Sequence, residues 1–566
     1  MILRIKDFIK NTENCTPAFV EAVSSLGDGD TLMLDGGRYH LYADGALERE
    51  YYISNNDCGI KPIVMPVINK KNITIDGGGA ELVFHGMVLP CVIDGSENVT
   101  VKNLSVDYNV PLYAQAEIVE ADEKGIVLKF DGRDFCCRVN NGNFCFYSNE
   151  DGWEREVESA LCLEFDRNRA PSAFSPPYFP YTGAPKDHGF LSRMFKDVTL
   201  EELGDNLIAM RCGMGKYHTV GNYFIMTYMS REFPGFFINS SKDVRLCEIN
   251  LYHTAAMGVI AQTTENISLE KVVANPRENS GRVLSVNADA THFVNCRGKI
   301  SISDCKLVHM MDDAVNIHGI YNLYEERLSD DTLKLGFGHY QQKGVQIYRD
   351  DDLVAVIDSK TNRVVTEGRV VSARLISPEH ISLRLDRTVP EPEEHWICEN
   401  LTTAPDVHIK DTESGYNRPR GFLLSSSGRV LVERCRFYNM NQGIQLSGEM
   451  KDWYESGCVR DVTIRDCDFE NSAYAGGVAI LCKPVLRADD LLDKPFNGRV
   501  VVENNRFVQS KKRICAIDLC ESVVFRNNSF RQDKSLPDKG QHRDGGVSFD
   551  RCGEVLFEDV VDVYDK

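Results

Sequence analysis

Short runs of alternating apolar and polar residues recur along the chain, and turns rich in Asn, Asp, Gly and Ser separate them. Two pairs of runs are near copies spaced by 23 residues: DVRLCEI from Asp243 matches NISLEKV from Asn266, and RVVVENNRF from Arg499 matches SVVFRNNSF from Ser522. Looser copies begin at Asn72, Asn98, Lys299, Arg429, Asp461 and Glu554. An alternation of period two indicates strands that bury one face.

These strands are too short to enclose a core alone, so a fixed repeat in the twenties predicts a solenoid whose stacked coils share one core. The strands are rich in Val and Ile, which favours an all-β protein built on a parallel β-helix over leucine-rich or helical repeats. Residues one repeat apart then lie on neighbouring rungs, roughly 4.8 Å apart along the axis.

The repeat is interrupted twice by stretches with their own alternating strands. Both interruptions end on a similar phrase, GFFINSSKDV from Gly235 and GFLLSSSGRV from Gly421, which marks the return to the solenoid. We interpret the interruptions as two inserted β-barrel-like domains. The predicted organisation is the first part of the β-helix at 1–110, an insert at 111–233, central coils at 234–320, a second insert at 321–419 and the last coils at 420–566.

Three aspartates in the central coils are the strongest candidates for chemistry. Asp312 and Asp313 are adjacent, and Asp289 stands 23 residues before Asp312, which is one repeat length. The three carboxylates should therefore lie on neighbouring rungs. The corresponding places in other coils hold uncharged residues, and stacked carboxylates repel one another, so a purely structural role explains them poorly.

Neighbouring acids on a rigid β surface suit glycoside hydrolysis. This reaction needs one carboxylic acid to protonate the leaving oxygen and one carboxylate to attack or to activate water. Mutual repulsion keeps one acid protonated near neutral pH while another stays ionised. Inversion and retention differ in the separation of the carboxyl groups, roughly 6.5–9.5 Å against 5–5.5 Å, and the rung spacing leaves both outcomes open.

Composition argues against several other classes of partner. The 64 Lys and Arg stand against 84 Asp and Glu, a formal charge of −20 without a basic cluster, so nucleic acid would be repelled. No apolar run is long enough to span a bilayer, and the N-terminal residues lack a signal-peptide pattern; this predicts a cytoplasmic protein, or a secreted or periplasmic one if a leader has been removed. The 19 cysteines include no Cys-x-x-Cys pair, so no metal site is expected.

Several motifs resemble glycoside hydrolase family 110. They are NADATHF from Asn287, CRG from Cys296, DDAVNIHG from Asp312, NITIDGGG from Asn72 and VIDGSENVTVKNLSVD from Val92. The resemblance covers the chain from Asn72 to the last coils. It implies a right-handed parallel β-helix interrupted by two barrels.

The resemblance also implies an activity. Members of this family are exo-acting α-1,3-galactosidases that work without metal or other cofactor and invert the anomeric configuration. Asp289, Asp312 and Asp313 match the catalytic acids of the family. The implied substrate is an oligosaccharide with a terminal α-galactose, either linear or of the blood-group B type, and the resemblance is compatible with a homodimer.

Other polar residues near the acids are weaker candidates for sugar binding. In the strand after Asp313, alternation directs Asn316 and His318 away from the core, and Asn287 shares a face with Asp289 by the same rule. The remaining candidates are His292, His309, Gln442, Gln445 and Trp453, whose indole could stack on a galactose face.

Two alternatives stay open. A polygalacturonase-like enzyme, or another β-helix glycosidase with a different sugar, also places acids on such rungs. A uronate, however, needs Arg or Lys nearby, and only Arg297 and Lys299 are close in sequence. The second alternative is a non-catalytic glycan-binding solenoid. Replacing each acid by Asn separates these ideas, because hydrolysis requires the acids and sugar binding does not.

Overall fold

The computed structural model describes residues 1–171, 179–182, 195–228, 231–486, 492, 494–536 and 546–563. These residues form a parallel β-helix with two inserted β domains, as the repeat predicts. The α-helix described among them, Thr16–Ser24, packs against the strand Gly59–Ile68, and short 3-10 turns lie at Ile5–Asp7, Gly215–Tyr217 and Tyr340–Gln342. No described helix is long and apolar enough to cross a membrane.

One wall of the solenoid, which we call sheet one, has 21 strands, and those of successive coils pair in parallel. Its strands in chain order are Ile2–Arg4, Thr31–Met33, Arg38–Tyr42, Lys71–His85, Glu97–Tyr108, Lys242–Leu251, Glu265–Ala274, Arg297–Ser303, Lys306–Val308, Asp406–Lys410, Glu413–Gly415, Arg429–Glu433, Arg436–Tyr438, Asp461–Arg465, Asp468–Glu470, Asn497–Glu503, Arg506–Gln509, Cys520–Arg526, Ser529–Gln532, Glu554–Phe557 and Val561–Asp562.

The other wall, sheet two, carries the strands that position the acids. In chain order they are Leu47–Tyr51, Gly59–Ile68, Leu89–Asp94, Phe236–Asn239, Val259–Gln262, Thr291–Val294, Val315–Ser329, Phe422–Leu424, Ile444–Leu446, Ile480–Cys482, Arg513–Asp518 and Gly546–Asp550. The first pair is antiparallel, and the later coils stack in parallel. A short strand, Glu455–Ser456, joins antiparallel to the stretch just after His318.

Asn and Asp recur in the turns because these turns need a left-handed backbone. Asn72, Asn98, Asp243 and Asn266 have φ between 53° and 58°, a region that Asn and Asp enter more readily than other non-glycine residues. Their side chains also bond from coil to coil, since Asn98 donates to Asn72 and Asn266 to Asp243, both at 2.8 Å. The polar turn residues that recur in the sequence thus form a ladder of side-chain hydrogen bonds between neighbouring coils.

The core between the sheets is a stack of like side chains. The rings of Phe437, Phe469 and Phe507 lie parallel with centroids 4.8 Å apart, which is the spacing of one rung. Cys435 and Cys467 belong to the same buried apolar core, where a free thiol acts as a small apolar side chain. Each coil therefore covers the apolar face of the next.

The first insert consists of a six-stranded antiparallel sheet and a three-stranded one. The six strands are Ala114–Ala121, Gly125–Lys129, Leu161–Phe165, Thr199–Gly204, Leu207–Arg211 and Tyr223–Thr227, the three are Cys136–Asn140, Asn143–Ser148 and Trp153–Val157, and a parallel pair lies at Phe179–Tyr181 and Phe195–Asp197. The solenoid resumes with Phe236–Asn239, which pairs with Leu89–Asp94.

The second insert closes into a six-stranded antiparallel barrel. Its first strand continues a solenoid strand, Val315–Ser329, which leaves sheet two just after the acids and pairs with the barrel from Tyr321. The others are Thr332–Phe337, Leu353–Asp358, Arg363–Ser377, His380–Leu385 and Trp396–Asn400. One unbroken strand therefore fixes the barrel relative to the acids.

The chain returns from this barrel earlier than the segment 321–419 implies. Asp406–Lys410 pairs in parallel with Arg297–Ser303, so a complete solenoid coil already begins there. The phrase at Gly421 belongs to the second half of that coil and leads into Phe422–Leu424 of sheet two. After the second insert, the phrase thus marks a place within the coil rather than the point of return.

Candidate active site

The three acids stand in turns that lead into neighbouring strands of sheet two. Asp289 precedes the strand that begins at Thr291, and Asp312 and Asp313 precede the one that begins at Val315. The register pairs Thr291 with Val315, so Asp313 lies one rung away from Asp289. Oxygen atoms of the three carboxyl groups come within 4.8 Å of one another, which is the proximity that the repeat predicts.

The acids face a pocket of about 380 Å³, within the range of small-molecule sites. Asp289 and Asp313 are 2 % and 0 % exposed, whereas the Asp312 side chain is 22 % exposed. The other lining residues are Asn55, Arg231, His292, Asn316, Arg418, Pro419, Arg420, Leu423, Asn441, Gln442, Gln445, Ser447, Glu449, Asp452, Trp453, Glu455 and Val485.

Arg420 is the partner of Asp313. Its guanidinium donates from Nε to Oδ1 at 3.0 Å and from Nη2 to Oδ2 at 2.6 Å, and its backbone N–H donates to Oδ1 at 3.0 Å. Such a bidentate pair is among the strongest charge-assisted contacts in proteins. Burial still pushes the pKa of Asp313 upwards from its ordinary value, and the charge of Arg420 opposes this shift.

Arg231 is the partner of Asp312. Its Nη2 donates to Asp312 Oδ2 at 2.5 Å, and its Nη1 donates to the Asn55 carbonyl at 3.4 Å. The guanidinium carbon also lies 5.7 Å from the ring centroid of Trp453. Arg231 has a φ of 63°, which non-glycine residues seldom adopt, so the backbone is turned locally where this side chain enters the pocket.

A chain of hydrogen bonds runs from Asp289 away from the pocket. Asp289 Oδ2 lies 2.5 Å from His292 Nδ1, and His292 Nε2 lies 2.8 Å from His318 Nε2. His318 Nδ1 lies 2.6 Å from the carbonyl of Gly319. Because a carbonyl only accepts, a neutral His318 donates from Nδ1 and accepts at Nε2. A neutral His292 then donates from Nε2, and its Nδ1 accepts a proton that Asp289 supplies.

Burial favours a neutral His292 and a protonated Asp289. Burial lowers the pKa of His292 far below its ordinary value of 6.5, and the neighbouring ring of His318 adds to this. Burial, with the charge of Asp312, raises the pKa of Asp289 to about 8. Because Asp289 and Asp313 stand on adjacent rungs their titrations are coupled, and the carboxyl without a guanidinium partner, Asp289, keeps the proton.

Most of the residues proposed from the sequence for sugar binding line this pocket. They are His292, Asn316, Gln442, Gln445 and Trp453. His318 lies behind His292 with a side chain that is 0 % exposed, and its Nε2 lies 2.8 Å from His292 Nε2 and 3.5 Å from Glu455 Oε1.

Asn287 and His309 do not line the pocket. The Asn287 amide donates to the carbonyl of Leu112 at 2.8 Å and ties its turn to a neighbouring loop. The ring of His309 stacks on Tyr416 with centroids 4.7 Å apart. Alternation misplaces Asn287 because this residue lies in the turn before the strand, where successive side chains no longer alternate between two faces.

Sequence reasoning missed the arginines of the pocket. Arg231 and Arg420 are 81 and 107 residues from their carboxylate partners, and Arg418 lies beside them. A signal was present, since Arg231 and Arg420 stand shortly before the two similar phrases at Gly235 and Gly421. Each time the chain enters sheet two after an insert, an arginine just before the phrase places a cation beside the acids.

Two buried polar atoms of the lining have no hydrogen-bond partner among the described residues. They are the amide oxygen Oδ1 of Asn316 and the guanidinium Nε of Arg418. Buried polar groups are nearly always hydrogen-bonded. The wall of the pocket therefore contains one acceptor atom and one donor atom without a protein partner among the described residues.

The three carboxylates have the oxygen chemistry that hard cations prefer, and their oxygens are close enough to share one. Each carboxylate already has a protein partner, however: Arg231, Arg420 or the ring of His292. A cation would displace these groups and lie beside two fixed guanidinium charges. The donor set suits an uncharged polar ligand better than a metal ion.

Two protein-family models match parts of the chain. The model described as GLAA-B beta-barrel domain II matches residues 332–393, which lie in the second insert. The model described as right handed beta helix region matches residues 400–560, which contain the coils after that insert.

Several proteins of known name are similar to most of the chain. The alpha-1,3-galactosidase A of Shewanella woodyi is 32 % identical over 553 residues, which cover 93 % of this chain and 85 % of that protein. The alpha-1,3-galactosidase B of Phocaeicola vulgatus is 30 % identical over 557 residues, which cover 93 % and 88 %. Among solved structures, a family 28 exopolygalacturonase of Yersinia enterocolitica aligns with a TM-score of 0.40 and 10 % identity over 98 % of this chain and 78 % of that one.

Proposed function

Since the chain belongs to the α-1,3-galactosidases of glycoside hydrolase family 110, we propose that it is an exo-acting hydrolase of terminal α-1,3-linked galactose. The proposed substrates are oligosaccharides or glycoconjugates that end in this sugar, as linear chains, as blood-group B-type branches, or as both. The proposed reaction uses Asp289, Asp312 and Asp313, needs no metal ion and inverts the anomeric configuration.

The division of charge among the three acids carries this proposal. Asp289 holds a proton against a ring nitrogen that accepts it, while two guanidinium groups stabilise the charges of Asp312 and Asp313. A proton donor beside two carboxylates is what the hydrolysis of a glycosidic bond requires. We assign Asp289 as the general acid and the Asp312–Asp313 pair as the base that activates water.

The reaction then follows from these assignments. Asp289 gives its proton to the glycosidic oxygen as the bond from that oxygen to the anomeric carbon breaks, and the aglycone leaves as an alcohol. A water molecule attacks the anomeric carbon from the opposite face and gives a proton to the carboxylate pair. Galactose leaves as the β anomer, and exchange with solvent restores the proton of Asp289.

The spacing of the acids bears on the position of this water. Their closest oxygens lie within 4.8 Å of one another, which is shorter than the roughly 6.5–9.5 Å usual between carboxyl groups of inverting enzymes. Two oxygens at such a distance can both accept from one water through O–H···O contacts of about 2.7 Å each. We therefore assign the water to Asp312 and Asp313 jointly, and the anomer released tests inversion independently of this spacing.

Asn316 and Arg418, which line the pocket and each have a polar atom unpaired among the described residues, supply the contacts to the galactose ring. Asn316 Oδ1 accepts from one sugar hydroxyl, and the guanidinium of Arg418 donates to others. Both groups lie on the coils that hold Asp313 and Arg420, so a sugar bound to them is presented to the acids. A site built around hydroxyl contacts rejects sugars that lack them, because its buried groups would then stay unpaired.

The proposal is tested by following the first anomer released, by proton NMR, from galactosyl-α-1,3-galactose, from the B trisaccharide and from trigalacturonate. We expect β-galactose to appear first from at least one of the two galactosides. α-Galactose as the first product would overturn inversion. The Asp312→Asn variant serves as the inactive control, and it should still bind the sugar.

One observation favours a second candidate function. Arg418 brings a guanidinium into the pocket without a carboxylate partner among the described residues, and such a group also suits the carboxylate of a uronic acid. The trigalacturonate arm decides this point. Cleavage of trigalacturonate alone would replace the galactosidase with a polygalacturonase-like hydrolase, and binding without cleavage of any sugar would indicate a non-catalytic glycan-binding protein.

A further inference from the structure

Three aromatic side chains meet beside the pocket, and one of them, Trp453, lines it. His339 and Tyr340 come from the second insert, and Trp453 comes from the loop before Glu455–Ser456. The ring centroid of His339 lies 4.3 Å from that of Trp453 and 4.7 Å from that of Tyr340. Tyr340 is 66 % exposed and Trp453 36 %, so this aromatic platform presents a large apolar area to solvent.

The platform is continuous with the acids through one side chain. Arg231 lies with its guanidinium carbon 5.7 Å from the ring centroid of Trp453, and its Nη2 binds Asp312 at 2.5 Å. Trp453 itself lines the pocket. A molecule that reaches from the acids past Arg231 therefore arrives on the aromatic platform.

Hydrogen bonds hold the platform in place. The Glu449 carboxylate accepts the backbone N–H of Asp452 at 2.7 Å and that of Tyr454 at 2.8 Å, on both sides of Trp453, and it also accepts the N–H of Trp453 itself. The buried Gln342 donates from Nε2 to the Trp453 carbonyl at 2.7 Å, which links this loop to the second insert. A fixed surface loses little entropy when a ligand binds to it.

We propose that Trp453, Tyr340 and His339 form the aglycone subsite, which binds the sugar that carries the terminal galactose by stacking on its C–H face. This inference rests on the proposed function. Galactose must lie with its anomeric carbon at the acids, and an exo-acting enzyme leaves the rest of the glycan towards the open side. The platform adjoins the pocket beyond Arg231, two of its rings are exposed, and aromatic faces pack well against the apolar face of a pyranose.

The subsite gives the second insert a role in specificity. Tyr340 belongs to this insert, whereas the acids belong to the solenoid. The solenoid then performs the reaction, and the insert selects which sugar may carry the galactose. A fucosylated and a linear aglycone present different faces to the platform.

The test compares two substrates that share galactose and differ in the leaving group. Galactosyl-α-1,3-galactose fills the aglycone subsite, whereas α-galactosyl fluoride releases only fluoride ion and does not reach it. We expect Trp453→Ala to lower kcat/KM for the disaccharide roughly 3- to 10-fold, mainly through KM. The loss with the fluoride should be clearly smaller, because within the described part of the chain Trp453 contacts the acids only through Arg231. Trp453→Phe should recover part of the loss with the disaccharide.

Two further variants secure the result. Tyr340→Ala alters a 66 % exposed ring and decides the matter if Trp453→Ala does not fold, and it should lower disaccharide hydrolysis selectively in the same way. Tyr217→Ala alters a 48 % exposed ring in the first insert and should leave both rates unchanged. Equal losses on both substrates, or no loss with the disaccharide, would overturn the aglycone subsite. A wild-type protein that hydrolyses neither substrate would overturn the proposed function instead.

Discussion

Replacing Asp289 by Asn should stabilise the folded protein at neutral pH while abolishing hydrolysis. The Asp289 carboxyl is 2 % exposed, and burial raises its pKa from an ordinary value of 3.8 to about 8. At pH 7 the unfolded chain has lost this proton, whereas the folded protein retains it. Between pH 3.8 and 7 only the unfolded chain releases the proton. The free energy of unfolding therefore falls by about 4 kcal/mol over this interval, at roughly 1.4 kcal/mol per pH unit.

The sign of the effect follows from the raised pKa. The destabilisation that Asp289 causes is absent below pH 3.8 and grows as the pH rises. It stops growing near pH 8, where the Asp289 carboxyl of the folded protein also loses its proton. Asn does not titrate, and its Nδ2–H donates to His292 Nδ1 as the protonated carboxyl does. Asp289 and Asp313 share the pKa shift, so the effect of Asp289 alone is smaller than the full value. We expect Asp289→Asn to raise the free energy of unfolding at pH 7 by about 1–4 kcal/mol, which corresponds to about 1–3 °C in Tm for a chain of this length.

Differential scanning calorimetry of wild type and Asp289→Asn between pH 4 and 9 measures this difference. The Tm of the variant minus that of wild type should be near zero at pH 4, rise through neutrality and level off above pH 8. Asp350→Asn, which alters an exposed carboxyl of the second insert, is the matched control and should show no such trend. A variant less stable than wild type at pH 7 would refute the reasoning, because it would mean that Asp289 is ionised against an imidazolium at His292.

Two further predictions concern the partners of the acids. Asp313→Asn should lower stability at pH 7 by on the order of 3 kcal/mol, because it removes the charge that Arg420 binds at 2.6 Å; a Tm equal to that of wild type in the same scans would contradict this. His318→Phe removes the acceptor of the His292 Nε2–H, so His292 can instead present an N–H to Asp289. That N–H stabilises the carboxylate form of Asp289 and lowers its pKa. The alkaline limb of the pH profile of kcat/KM should therefore move to lower pH by about one unit. An unchanged profile would show that His318 does not hold the proton on Asp289.

The fold was largely predictable because its pattern is periodic. The spacing of 23 residues holds where two coils are joined by short turns, as in the pairing of Val244 with Ile267 and of Val500 with Val523. It does not hold where a turn is longer, since Ile267 pairs with Ile300, 33 residues on. Strand alternation specifies which residues face the core, but the length of a turn is set by what it must bind or cover.

The acids were predictable and their partners were not. Asp289 and Asp313 lie on adjacent rungs, and the repeat places them there although their true spacing in the register is 24 residues. Arg231 and Arg420 reach the same place from segments that follow whole inserted domains. A local period carries no information about contacts across such distances. Trp453 is a similar case, because its exposure depends on how the second insert lies over the coil.

The pairing of Asp313 with Arg420 has a consequence for synthesis of the protein. The two residues are 107 apart in sequence, and the second barrel lies between them. At roughly 5–20 residues added per second, the ribosome releases the acids roughly 5–20 s before this arginine. During that interval Arg231 is already present to pair with Asp312, but the buried Asp313 has no guanidinium partner. A nascent chain can thus complete the pairing of its clustered acids only after the whole barrel has been translated.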